Sequence, residues 1–73
     1  MSKKYQAKYQ KLTAKLRSAR QEANLTQVEA GKLLKKPQAF VSKIERGERG
    51  VDVVELAEFA KVYGKSLDYF ISG

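Results

Sequence analysis

Thr26 to Gly47 reads TQVEAGKLLKKPQAFVSKIERG, and three local signals divide it into two short helices joined by a turn. Thr26 followed three residues later by Glu29 is a capping box: the hydroxyl accepts from an otherwise orphaned helix amide, and the carboxylate reaches back to the amide of the cap. Pro37 suits a first helical position, where its missing N–H would have no partner anyway. It also drives Lys36 out of helical geometry, so a boundary falls between them. Gly47 closes the second segment, as glycine does where the chain turns left-handed after the last carbonyls. Each segment is about ten residues long, and Lys35-Lys36 separates them, which is the layout of a helix-turn-helix unit.

The flanking sequence supplies the remaining elements. Tyr5, Tyr9, Leu12, Leu16, Ala19 and Ala23 recur at alternating steps of four and three, one apolar stripe on a helix over 4–23. Lys8, Lys11, Lys15 and Arg17 fall off that stripe and are expected on its exposed side, with residues 1–4 frayed. The second helix covers 27–34, with Ala30, Gly31 and Leu34 inward. The third covers 37–46, with Val41 and Ile44 inward and Gln38, Ala39, Ser42 and Lys43 on the opposite face. A fourth follows Asp52, a good N-cap, and runs to Tyr63 with Val53, Leu56, Phe59, Ala60 and Tyr63 as its stripe before Gly64. Ser66 caps a short fifth helix whose Leu67, Phe70 and Ile71 return to the core. Five helices, short connections and no strand signal predict an all-α fold. Seventy-three residues allow one domain, 1–73, with a single small core.

Composition narrows the function. Cysteine and histidine are both absent, which removes disulfides, thiolate metal sites, and the commonest general base and metal ligand. No glycine-rich phosphate loop or close carboxylate pair appears, so an enzyme, a cofactor, a metal and a small-molecule ligand are not expected. The N-terminus lacks an apolar signal core and no run reaches membrane-spanning length, so a cytoplasmic setting with no membrane partner is expected. The net charge of +7, with a pI near 9.8, is unevenly spread. Between Met1 and Gln21 stand seven basic residues and no acid, whereas from Val51 onward Asp52, Glu55, Glu58 and Asp68 outnumber Lys61 and Lys65. A basic face on one part of a small domain is the footprint of a nucleic-acid binder. Single-strand and RNA binders want exposed aromatics among the basic residues, but most of the seven aromatics here fall on core stripes.

The segments TQxExxxL and PQAFVSKIERG, with LTQ at Leu25–Gln27, VSKIERGER at Val41–Arg49 and SLDYF at Ser66–Phe70, resemble the phage repressor and Cro type of helix-turn-helix, the XRE-like family. The resemblance runs from about Tyr9 to Ile71 and implies a five-helix, lambda-repressor-like domain that binds double-stranded DNA as a transcriptional regulator. Repressor, autoregulator of antitoxin type and restriction–modification controller are all compatible with it. It further implies that the third helix enters the major groove, where each base pair presents its own donor and acceptor pattern. By motif position Gln38, Ala39, Ser42 and Lys43 would face the bases. Gln38 suits adenine N6 and N7, Lys43 suits guanine, and Ala39 could meet only a thymine methyl. Phe40 is either a spacer or a group packing on sugar or thymine. Gln27 and Val28, at the amide-rich start of the second helix, with Arg17, Lys35, Lys36 and Arg49 around them, would hold phosphates. Arg20 and Glu45 are implied as a structural ion pair beneath that surface.

Family members commonly bind palindromic sites as two-fold dimers, so a homodimer, formed in solution or on DNA alone, is expected. Val54 and Val62 fall off the inner stripe of the fourth helix and Tyr69 off that of the fifth, which makes them the candidate dimer contact. Three departures from the family stand out. Asn24 and Lys35 replace glycines at two helix ends, and Ala30-Gly31 replaces a more usual Leu-Ala. Lysine in a left-handed conformation is disfavoured by about 1 kcal/mol, which leaves open whether the turn at Lys35 keeps the family geometry. Gly31 is a poor helix residue, by about 1 kcal/mol relative to alanine, and its expected use is a close crossing of the second and third helices. The competing function is a protein-interaction or coactivator module built on the same motif. It would need no groove-directed polar side chains on the third helix, and Gln38, Ser42 and Lys43 speak against it.

Overall fold

A computed structural model of the chain describes the backbone of residues 3–72 and the side chains of residues 10–72. Five helices follow in order: α1 Lys3–Glu22, α2 Gln27–Leu34, α3 Gln38–Glu45, α4 Val53–Tyr63 and α5 Leu67–Ile71. The lower half of the predicted α1 stripe packs as expected, with Leu16 and Ala19 buried and Leu12 and Ala23 against them. The side chains of Tyr5 and Tyr9, its upper half, lie outside the described residues. Lys15 is half-buried rather than free, and its ammonium donates to Ser72 O at 2.6 Å, tying α1 to the end of α5.

The starts of α2, α4 and α5 carry the caps their sequence offers. Pro37, expected as the first residue of the third helix, stands just before it with extended backbone and no capping side chain, so α3 begins at Gln38. Thr26 Oγ1 accepts from the Glu29 amide while Glu29 returns to the Thr26 amide, and Asp52 with Glu55 repeats the arrangement at α4. Ser66 caps α5 through the Tyr69 amide. The ends of α1 to α4 share one solution: a residue with positive φ, followed by a backbone bond from the next amide to the carbonyl five residues back. Gly47 and Gly64 do this with φ of 74° and 71°, and Asn24 and Lys35 do it with φ of 59° each. The turn between α2 and α3 therefore keeps left-handed geometry despite its lysine: Lys35 N bonds to Lys32 O and Lys36 N to Gly31 O.

Gly31 explains why that turn is tight. A Cβ there would stand 2.7 Å from Lys36 O and 3.4 Å from Gln38 N, so only hydrogen lets the turn backbone fold down on α2. The core that results holds Leu16, Ala19, Ala30, Leu34, Val41, Ile44, Leu56, Phe59, Ala60, Tyr63 and Phe70. Two expected core residues are not in it. Val53 remains 66 % exposed because it occupies the first turn of α4, before the helix passes under its neighbours, and Ile71 remains 63 % exposed at the last turn of α5. A stripe read from periodicity overruns the packed surface at helix termini, where no facing element is left to cover it.

Candidate nucleic-acid interface

The surface built by α2, the turn and α3 begins in the core. Val41 is fully buried and Ile44 is 1 % exposed, and their burial sets the roll of α3. That roll puts Gln38, Ala39 and Lys43 in solvent and leaves Ser42 half-buried. One buried ion pair fixes α3 against α1. Arg20 donates from Nε to Glu45 Oε2 at 2.7 Å and from Nη2 to Oε1 at 3.1 Å, with 12 % and 2 % of the two side chains exposed. Its Nη1 donates to Leu25 O at 2.9 Å, so the same guanidinium also holds the loop that leads into α2. The Glu45 carboxylate raises the Arg20 pKa further, so the charge is never in question. Arg17 lies over the same acid, with Nη2 3.2 Å from Glu45 O and Nε 3.7 Å from Oε1, and keeps half of its side chain in water.

From this pair a chain of amides leads to the surface. Gln27 Nε2 donates to Glu45 Oε1 at 3.1 Å, and Gln38 Nε2 donates to Gln27 Oε1 at 3.3 Å. A residue at the start of α3 is thus braced through α2 to a buried carboxylate. The α2 amides of Gln27 and Val28 find no acceptor among the described residues and stand at the positive end of the helix dipole. Val28 itself is 45 % exposed beside them.

Cations rim this surface, and their settings differ. Lys35 projects from the turn into solvent. Lys36 Nζ stands 5.3 Å from the Phe40 ring centroid and Arg49 Cζ 4.7 Å from it, while the ring stacks on Phe59 at 6.0 Å with an interplanar angle of 4°. Phe40 is accordingly a half-buried spacer that continues the core aromatics outward and holds two cations over its open side. Arg49 is also forked on Glu55 at 3.1 Å through both Nη atoms, and the pairing holds the Glu55 carboxyl below its ordinary range. Arg46, at the end of α3, was not among the residues singled out by motif. It forks on Glu48 at 3.0 and 3.1 Å and donates to Ser42 Oγ at 2.5 Å. The signal for it was its spacing of four from Ser42, which puts both on one helix face.

The three candidate dimer residues stand in different settings. Val54 is 65 % exposed, whereas Val62 and Tyr69 are half-buried against the core. Lys15 and Lys65 place their ammonium groups 5.8 and 4.7 Å from the Tyr69 ring, and Lys65 pairs with Glu22 at 2.6 Å. Beneath the Arg20–Glu45 pair, the buried Tyr63 hydroxyl has no partner among the described residues. Burial, helped by the Glu45 charge, pushes its pKa above the ordinary phenol value. Among the described residues no cluster of potential metal ligands occurs, and no helix is long and apolar enough to cross a membrane.

Comparison with known proteins agrees with this geometry. The family profile described as Helix-turn-helix matches residues 16–70. A solved structure, an XRE-family like protein from Pseudomonas syringae pv. tomato str. DC3000, superposes with a TM-score of 0.85 at 40 % identity, over 93 % of this chain and 83 % of the other. Among curated proteins nothing matches. With the motif, the five-helix arrangement and both comparisons in agreement, the chain belongs to the XRE-type helix-turn-helix family.

Proposed function

We propose that this domain is a sequence-specific regulator that binds double-stranded DNA with α3 in the major groove. Its helix-turn-helix family membership supports DNA binding by a regulator in general. The observation that carries the finer reading is the braced line Arg20–Glu45–Gln27–Gln38. It presents an exposed amide side chain at the start of α3 in fixed relation to two free backbone amides at the start of α2. An amide side chain that both donates and accepts matches adenine's major-groove edge, and free helix amides match a phosphate. Gln38, Ala39, Ser42 and Lys43 make up the reading face in this proposal. Gln27, Val28, Arg17, Lys35, Lys36 and Arg49 make up the phosphate rim.

One such domain covers about 600–1,000 Å² of DNA contact, which is thin for selecting a single site. The proposal therefore includes two chains on a palindromic operator, with their α3 helices one turn of DNA apart, about 34 Å. Exposed Val54 is the centre of the proposed contact, and the outer edges of Val62 and Tyr69 adjoin it. The role is repression or autoregulation by occupancy, in the cytoplasm. Selection of bound duplexes from a random pool, with the bound stoichiometry recorded, tests all of this together. The expected product is an inverted repeat with half-site centres about ten base pairs apart, holding two chains. Selection of no common sequence would refute base reading, and one chain per site would refute the dimer.

A further inference from the structure

The forked arginines commit different edges of their guanidinium groups. Arg20 and Arg46 each give the edge formed by Nε and Nη2 to a carboxylate, Glu45 and Glu48 respectively. Arg49 gives the other edge. Its Nη1 and Nη2 fork on Glu55 at 3.1 Å each, and Nη1 turns its second proton to Gly50 O at 2.8 Å. A guanidinium holds five N–H donors in one rigid plane, so the Nε proton and the second Nη2 proton are left over. They lie parallel along one edge and find no acceptor among the described residues, on a side chain that is 42 % exposed. Two parallel donors on a cation match two oxygens of a phosphate.

The plane is held before any ligand arrives. Phe40 lies against it, with Cζ 4.7 Å from the ring centroid, and that ring stacks in turn on Phe59. Glu55 is fixed by the start of α4, where its Oε1 accepts from the Asp52 amide at 3.1 Å as well as from Arg49. Swinging the guanidinium away would give up the fork, the Gly50 carbonyl and the ring together. Its place relative to DNA follows from α3. Gln38 and Phe40 are two residues apart and so leave that helix about 200° apart. Ala39, Ser42 and Lys43 come between them on the outer side, and Val41 points inward. Gln38 leads through Gln27 to the free amides of α2, whereas Phe40 leads to Arg49 and to Lys36. A helix lying in the major groove has a sugar–phosphate strand on each flank. The α2 amides address one strand, and Arg49 addresses the other.

We propose that Arg49 clamps one phosphate of that second strand through its Nε–Nη2 edge, and that Glu55 is the positioning residue that aims this edge. An acid beside the DNA then strengthens a phosphate contact instead of opposing it. This placement rests on the reading that α3 lies in the major groove.

The test uses the duplex that the wild-type chain selects from a random pool, with methylphosphonate replacing one phosphate at a time. Each replacement removes the charge and one of the two oxygens. Binding is measured for the wild type, Arg49→Ala, Arg49→Lys and Glu55→Gln, with a thermal melt for each. Position 49 lies in the loop between α3 and α4, and glutamine at 55 keeps an oxygen for the Asp52 amide, so the fold is retained. At the clamped phosphate, methylphosphonate should weaken the wild type about ten-fold and leave Arg49→Ala unaffected. Arg49→Lys keeps the charge without the fork, and its penalty there should fall to about three-fold. Glu55→Gln should also fall to about three-fold at that phosphate, with the penalties at other phosphates as in the wild type. If no penalty disappears in Arg49→Ala, the arginine holds no phosphate, and the proposed clamp is overturned while base reading by α3 stands. A full penalty in Arg49→Lys would make the contact a point charge and overturn the clamp too. An unchanged or larger penalty in Glu55→Gln, or an even change at every phosphate, would overturn the positioning role of Glu55. Failure of the wild type to select any duplex would instead refute the proposed function.

Discussion

A single carboxylate, Glu45, accepts from Arg20 twice and from Gln27 once, and Arg17 lies against it. Removing one partner of such a buried pair leaves the other charge desolvated, which costs about 3–5 kcal/mol, far more than the pair contributes relative to an apolar replacement. Arg20→Ala should therefore lower the melting temperature by more than about 10 °C, with DNA binding lost as a secondary effect; a calorimetric scan beside a binding curve checks the order. Unchanged stability would mean that the pair carries no weight in solution. Readers and holders separate at the same scale. Gln38→Ala should weaken the cognate site by about 1–3 kcal/mol and relax one base pair. Lys36→Ala should weaken every duplex alike and flatten the salt dependence. Titration of both variants on cognate and scrambled DNA distinguishes them, and identical behaviour on the two DNAs would contradict the assignment of Gln38.

Among the elements, the turn between α2 and α3 and the start of α4 can be tested without DNA. Alanine is the better helix former by about 1 kcal/mol, yet Gly31→Ala should destabilise, because its Cβ would meet the Lys36 carbonyl at 2.7 Å. Lys35→Gly should act the other way. It relieves a left-handed lysine with φ of 59° and should stabilise by about 1 kcal/mol while removing a proposed phosphate contact. Denaturant midpoints for the two variants should move in opposite directions, and a stabilised Gly31→Ala would show that the turn yields easily. At α4, Glu55 is held below the ordinary carboxylate value of 4.5, first by Arg49 and then by the Asp52 amide. A carboxylate depressed in the folded state adds stability above its unfolded pKa and loses it as pH falls through the folded one. The wild type should therefore lose stability from about pH 5 downward more steeply than Glu55→Gln. Parallel curves from neutral pH to pH 3 would argue that the cap and the Arg49 contact are too exposed to matter.

At the scale of the whole molecule, charge is segregated: the excess cations lie before Val51, and the acids predominate after it. If two chains engage about four to eight phosphates, log affinity should fall against log salt with a slope of roughly −4 to −7. Affinity that barely responds to salt, or preference for single strands, would contradict the proposed mode. Val54→Glu should abolish cooperative filling of a palindrome while sparing the fold, since Val54 is 65 % exposed. Retained cooperativity in a two-site gel titration would move the dimer contact elsewhere. Val62 and Tyr69 are less useful probes because both also pack against the core.

What was legible in the sequence is what local physics decides. Caps at Thr26, Asp52 and Ser66, stops at Gly47 and Gly64, and the inward faces of α2 and α3 follow from hydrogen-bonding and steric rules that act over one helical turn. The motif likewise placed Arg20 opposite Glu45, which the geometry shows as a forked pair. Tertiary structure alone decided the rest. Val53 and Ile71 are apolar at core spacing but stay exposed, because burial depends on which neighbour passes over a helix end. Lys35 takes a left-handed conformation that its type disfavours, because Gly31 opens room for the turn and the Lys36 amide finds the Gly31 carbonyl. Arg46 and Arg49 look alike in the sequence. Their partners, Glu48 with Ser42 for one and Glu55 with Phe40 for the other, are set by how the loop after α3 folds back. A charge read from sequence has a sign, but whether it is free to meet a phosphate depends on the carboxylates that the fold brings to it.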